Sequence, residues 1–127
     1  MSLGSYTVSA VVAVSDIDTA KEFYEDKLGL SEGRDAGDGG RTYECGGGSE
    51  IHIYPSPENA GKSKATVAGW GVDDLERVVD ELSSKGVSFE RYDEPIKTDA
   101  KGIATVDDSK AAWFKDPDGN THGLIQA

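Results

Sequence analysis

Two histidines are the side chains of this sequence best suited to moving a proton or holding a metal near neutral pH. His52 sits in Ile51-His52-Ile53-Tyr54, where strand alternation would put it on the same side as Tyr54. Such a residue could act as an acid or base without a metal; its plainer role is a cavity or surface histidine with a hydrogen-bond partner. His122 lies in the last apolar run and reads as a strand residue near a sheet edge. Cys45 is the only cysteine, so no intrachain disulfide is possible, and a strand thiol of this kind reads as packing. Gly37-Asp38-Gly39-Gly40 and Gly46-Gly47-Gly48 suggest a phosphate cradle, but neither is followed by the helix and lysine that a P-loop requires. Both read as hairpin turns.

The elements that must position these residues are legible from hydrophobic period. Residues 6–14 form an apolar, β-branched run, the first expected strand. Asp16 follows as a helix N-cap, and Ile17, Ala20, Phe23, Tyr24 and Leu28 fall on one helical face up to Gly29. Three short strands are expected near 31–36, 41–46 and 49–54. Residues 55–64 hold two prolines and no periodicity, and read as a linker. The pattern then restarts, with a strand at 67–72, Asp73 or Asp74 as cap, and Leu75, Val78, Val79 and Leu82 as a buried helix face ended by Gly86. A strand is expected at 87–92, an irregular segment at 93–101 that serves either as a flap or as a surface excursion, and a short strand or ordered loop at 103–107. In Asp116-Pro117-Asp118-Gly119-Asn120 the residue types are those of a tight turn, which leads into a last strand at 121–126.

Shifting the second half back by 58 positions lays Val72 on Val14, Asp74 on Asp16, Leu75 on Ile17 and Leu82 on Tyr24. The chain therefore carries an internal repeat of a strand–helix–strand–strand–strand unit. One such unit leaves a sheet face bare, so two are expected to act together in a single domain spanning 1–127. Module one covers about 5–56, the linker 57–64 and module two about 65–126.

Phe114-Lys115-Asp116-Pro117-Asp118-Gly119-Asn120, with Val14-Ser15-Asp16, Phe23-Tyr24 and Leu28-Gly29-Leu30, resembles the vicinal oxygen chelate superfamily. Trp70-Gly71-Val72-Asp73-Asp74-Leu75, Lys85-Gly86-Val87 and Phe89-Glu90 in the second half resemble it as well. That superfamily holds glyoxalases, bleomycin-resistance proteins and extradiol dioxygenases. The resemblance implies an α+β fold of two βαβββ modules whose sheets form a half-open barrel around a central cavity. In metal-dependent members four inward side chains bind one divalent ion, Zn, Ni, Mn or Fe, that polarises a substrate oxygen. Carried over by position, those four sites fall on Ser9, His52, Val67 (Thr66 if the register slips by one) and Gly123. Only His52 is a ligand type, which implies that the usual metal is absent. A shifted last strand would instead turn His122 inward beside His52, with Glu44 or Glu50 in support.

Without a metal, the cavity would hold a small molecule. Alternation places Ser9, Val11 and Ala13, then His52 and Tyr54, then Val67, Gly69 and Gly71 on the inward side. Tyr43, Trp113 and Trp70 are further candidates, the last equally suited to the helix side. The ligand-binding set is thus Ser9, Val11, Tyr43, His52, Tyr54, Val67, Gly69, Trp113 and Gly123. The bleomycin-resistance branch, dimeric and metal-free at the protein, is the precedent, and it implies a homodimer. The alternatives are a metal-dependent lyase, isomerase or dioxygenase with an atypical site at His52, and an interaction module whose cavity has become core.

Composition narrows the partners. The 127 residues carry a formal charge of −11, which disfavours nucleic acid and anionic membranes. No apolar run approaches the ~20 residues of a membrane span. The beginning of the chain has no basic stretch followed by a long apolar run, so a cytoplasmic location is expected.

Overall fold

The computed structural model describes residues 3–31, 33–94 and 96–127. The expected strand at 31–36 includes Glu32, and the irregular segment includes Pro95; both residues lie outside the described ones. The chain divides into two compact units, residues 1–62 and 63–127, each a βαβββ module.

Unit one runs β1 (Ser9–Val14), α1 (Ile17–Glu22), β2 (Gly33–Asp35), β3 (Arg41–Glu44) and β4 (Glu50–Pro55). Its sheet has the order β1-β4-β3-β2, with β1 parallel to β4 and the other pairs antiparallel. Asp16 caps α1 as expected, its carboxylate accepting from the Asp18 and Thr19 amides at 2.9 and 3.4 Å. The helix then widens into a π-turn, Phe23–Lys27, and ends before Gly29, whose φ of 79° suits glycine. Val12, Val14, Tyr43, Ile51 and Ile53 are buried together with Ala20, Phe23 and Tyr24 of the helical segment. The first strand begins three residues later than its apolar run. Ser9 pairs with Glu50, the first residue of β4, so residues before Ser9 have no strand to pair with. Leu3–Ser5 form a 3-10 turn instead.

Unit two repeats the plan with β5 (Thr66–Gly71), α2 (Leu75–Ser84), β6 (Ala104–Val106), β7 (Ser109–Lys115) and β8 (Thr121–Gln126). The order β5-β8-β7-β6 matches that of unit one. Asp74 is the N-cap of α2, accepting from the Arg77 amide at 3.3 Å, and Gln126 reaches from β8 to accept from the Leu75 amide at 2.7 Å. Two orphan donors of the helix end are thereby satisfied. The strand expected at 87–92 reduces to a single bridge between Phe89 and Phe114, plus one hydrogen bond from the Glu90 amide to the Trp113 carbonyl at 2.8 Å. Its flank is taken by Gly102, where a Cβ would stand 2.9 Å from both Phe89 Cβ and the Glu90 carbonyl oxygen.

The turn between β7 and β8 is as its residue types predict. Buried Asp116 accepts from the amides of Asp118 and Asn120 at 3.0 and 2.9 Å and from the Asn120 side chain at 2.8 Å. The turn sets the register that follows: Lys115 opposite Thr121, Phe114 opposite His122, Trp113 opposite Gly123. Among the described residues no helix is long and apolar enough to cross a membrane.

Candidate functional site

In unit one the sheet face away from α1 is built by strand alternation from Ser9, Val11, Ala13, Thr42, Glu50, His52 and Tyr54. Val11 lies opposite His52 and Ala13 opposite Tyr54 across the β1–β4 ladder, and Thr42 opposite His52 across β3–β4. Val11 is 58% exposed although apolar, and His52 and Tyr54 are half-buried. Tyr43 is on the other face. It pairs with Ile51, is fully buried, and its hydroxyl donates to Glu25 of the π-turn at 2.7 Å. Burial, and then the Glu25 carboxylate, push its phenol well above the usual tyrosine range. The expectation that Tyr43 lines the open face therefore fails on geometry: β3 presents Thr42 there.

His52 is held at both ring nitrogens. Nε2 lies 2.7 Å from Asp38 Oδ2 and Nδ1 lies 2.8 Å from Thr42 Oγ1. A carboxylate can only accept, so Nε2 carries the proton, and in the neutral ring the Thr42 hydroxyl donates to Nδ1. The bonds from His52 and from the Gly40 amide hold the Asp38 carboxyl below the usual carboxylate range. Beside this chain, Arg34 bridges Glu50 at 2.9 Å and Glu44 at 3.9 Å, offsetting two carboxylates that face each other across β3 and β4. Cys45, half-buried, has its thiol pushed up by burial and then by Glu50, which keeps it protonated and unreactive.

In unit two the face away from α2 carries Gly69, Gly71, Gly123, Ile125 and Trp113. A Cβ on Gly71 would meet nothing within 4 Å, and one on Gly69 only Ile125 Cδ1 at 3.9 Å. Trp113 pairs with Gly123 and packs edge-on against Tyr92, their ring centroids 5.7 Å apart. A bulge falls at Val67: Thr66 pairs with Thr121 and Ala68 with His122, so Val67 is the extra residue. The Thr66 methyl comes within 3.4 Å of where a Gly123 Cβ would stand. Thr66 thus shares the face of Gly123 at the position assigned to Val67.

His122 lies on the helix side with Ala68, Trp70, Phe114 and Leu124, and the shifted register that would bring it to the Gly123 face is not adopted. It is fully buried, stacks on Phe114 with centroids 5.0 Å apart and planes 3° apart, and accepts at Nδ1 from the Trp70 indole N–H at 3.0 Å. Burial lowers its pKa to about 4, with Asp116 pulling weakly the other way. It is a neutral core residue at pH 7.

The four positions that the resemblance assigns to a divalent ion do not fit one. Gly123 and Val67 have no donor atom, Ser9 and Thr66 offer only a neutral hydroxyl, and both nitrogens of His52 are engaged. Among the described residues, no three His, Cys, Asp or Glu side chains gather as a metal would need. The polar partners Asp38 and Thr42 escaped the reading of the sequence. Asp38 looked like a turn former only, and Thr42 becomes visible once the register across the Gly46–Gly48 turn is known to set residue 42 opposite residue 52. Two shallow clefts lie beside the helices instead. One of about 300 Å³ is lined by Ile17, Lys21 and Asp35; the other, of about 430 Å³, by Val79, Phe89, Arg91 and Lys101.

Solved structures share this architecture. A glyoxalase/bleomycin resistance protein from Catenulispora acidiphila is 24% identical with a TM-score of 0.71, over 97% of this chain and 99% of that one. TnmS3, an antibiotic binding protein from Streptomyces sp. CB03234, is 23% identical with a TM-score of 0.68, over 96% and 95%. An integron cassette protein from the mobile metagenome of Halifax Harbour sewage outfall is 18% identical with a TM-score of 0.71, over 97% and 99%. At such identities the likeness is one of fold. None of the curated proteins compared matches the chain. The sequence model of one superfamily matches residues 6–123, nearly the whole of both modules. The chain belongs to the glyoxalase/bleomycin resistance protein/dioxygenase superfamily.

Proposed function

We propose that this protein binds a small molecule against its open sheet faces and does so without a protein-bound divalent metal. The observation that carries the reading is the bareness of those faces. Exposed Val11 and half-buried His52 and Tyr54 mark one, and Gly69 and Gly71 leave the other without side chains beside Trp113. A face kept as packed core would carry bulk at those positions, whereas a binding surface needs room and a few fixed polar groups. The solved neighbour described as an antibiotic binding protein supports the same reading. The proposed working form is a cytoplasmic homodimer, to be checked by sedimentation.

The test has two arms. A panel of metabolites and antibiotics is screened by thermal shift, where a ligand at a hundredfold excess over its dissociation constant adds about 2.7 kcal/mol of stability. A panel that leaves the melting temperature unmoved removes the support for a binder. In the second arm, protein purified without chelator or affinity tag is offered Ni, Zn, Mn and Fe(II), desalted and weighed by native mass spectrometry. Close to one metal per chain, lost in His52→Ala, would make a metal-dependent enzyme the leading reading instead.

A further inference from the structure

We infer that Asp38, His52 and Thr42 form a proton relay that makes the Thr42 hydroxyl a nucleophile toward small activated acyl esters, an activity beyond the binding proposed above and independent of it. A hydroxyl attacks a carbonyl carbon when a base takes its proton, and the base is ready to do so when a third group fixes its ring and tautomer. Thr42 Oγ1 stands 2.8 Å from His52 Nδ1, and Asp38 Oδ2 stands 2.7 Å from His52 Nε2. The carboxylate accepts the Nε2 proton, which leaves the Nδ1 lone pair facing the hydroxyl. The Gly40 amide donates to the other Asp38 oxygen at 2.8 Å, so the group that orients the ring is itself held. A threonine opposite a histidine across β3 and β4 is by itself an ordinary sheet pair. The carboxylate on the far nitrogen is what turns the pair into acid, base and nucleophile in series.

The surroundings set the substrate class. Thr42 keeps 9% of its surface exposed, so only a small acyl group reaches its hydroxyl. Arg34 lies opposite Thr42 on β2 and shares its face of the sheet. Its guanidinium holds Glu50 at 2.9 Å and Glu44 at 3.9 Å, and a fork of N–H groups has donors to spare for an oxygen that turns negative under attack. In the step, Thr42 Oγ1 bonds to the carbonyl carbon as its proton passes to His52 Nδ1. The bond from that carbon to the leaving oxygen then breaks, and the leaving oxygen takes the proton from Nδ1. The products are an acyl ester on Thr42 and a free alcohol or phenol. Water, deprotonated by the same nitrogen, releases the carboxylic acid and restores the hydroxyl. Asp38 stays ionised throughout and steadies the imidazolium.

The probe is p-nitrophenyl acetate, added to the whole chain. Release of p-nitrophenolate is followed by absorbance, and the acid-quenched protein is digested so that mass spectrometry locates the acetyl group. The expected result is an acetyl group on Thr42 and release about a hundredfold faster than in Thr42→Val, which keeps the shape and lacks the hydroxyl. Thr42→Ser should retain the reaction. Asp38→Asn is a substitution at an exposed position, so the fold is not at stake. Its Oδ1 can keep the Gly40 bond while Nδ2 donates to His52 Nε2, which moves the ring proton to Nδ1 and takes away the base; release should slow about a hundredfold here too. Acetyl found only on lysines, the α-amino group or His52 overturns the relay, and so do equal rates in the wild type and Asp38→Asn. Neither outcome touches the thermal-shift test of binding.

Discussion

Substitution of His122 by asparagine tests the core of unit two through pH. His122 is fully buried and its pKa drops from the ordinary 6.5 to about 4. Between those values the unfolded chain binds a proton that the folded chain refuses. Stability from this group is therefore complete above pH 6.5, declines as pH falls, and is gone below pH 4. Going from pH 7 to pH 5 costs about 2 kcal/mol from this one residue. Asparagine Oδ1 can stand where Nδ1 stands and accept from the Trp70 indole, so the variant keeps that bond and loses the stack on Phe114 and the titration. It should be less stable than the wild type by about 1–3 kcal/mol at pH 7, and the gap should shrink by about 2 kcal/mol at pH 5. Urea unfolding followed by tryptophan fluorescence at both pH values measures this. The other titrating groups, among them the 24 acidic residues, are common to both proteins and cancel in the comparison. A gap that is the same at pH 7 and pH 5, or a folded-state NMR titration of His122 centred near 6.5, would refute the argument that burial keeps this imidazole neutral.

Three further outcomes are expected. Tyr43→Phe removes a hydroxyl that donates to Glu25 at 2.7 Å and should cost about 1.5–3 kcal/mol in denaturant titration, the usual range for a bond to a charged acceptor. Gln126→Ala removes the acceptor at the start of α2 and should cost about 1 kcal/mol, read from the urea midpoint, with the sheet otherwise unchanged. Gly40→Ala puts a Cβ into the Ile53 carbonyl, which must shift the turn bearing Asp38. It should lower stability by about 1–3 kcal/mol, and the NMR signals of the His52 ring should move as its bond to Asp38 is disturbed.

What could be read from the sequence was whatever is set locally. Asp16 and Asp74 announce their helices because capping is a contact between residues two or three apart, and the 58-residue shift shows because both copies keep the cap and the apolar face. The turn at Asp116-Asn120 follows from residue type alone, but residue type leaves open whether Gly123 or His122 takes the inward side after it, and only the ladder sets Gly123 opposite Trp113. Errors came where pairing decides. Alternation cannot say which of Thr42 and Tyr43 faces the helix until the 42–52 register is known. The bulge at Val67 leaves no mark in the hydrophobic pattern. The run 87–92 has strand-like residues but pairs through a single bridge, with Gly102 packed against it, an arrangement between segments that no local rule foresees.

The π-turn at Phe23–Lys27 sets the helix of the first module apart from that of the second. In a regular helix neighbouring residues point about 100° apart, within one apolar face, and Phe23 and Tyr24 are both buried, edge to face with centroids 5.4 Å apart. The wider turn that carries both rings is closed by the Leu28 amide on the Phe23 carbonyl at 3.1 Å. A π-turn holds one residue more than an α-helical turn, and α2 has no such turn. The two modules thus share one plan but differ by one wide helical turn. Deleting one residue within 23–27 would return that helix to regular form and rotate the residues after the deletion by about 100°. A first module given a helix as regular as that of the second would therefore present a different set of side chains to its own sheet beyond Tyr24.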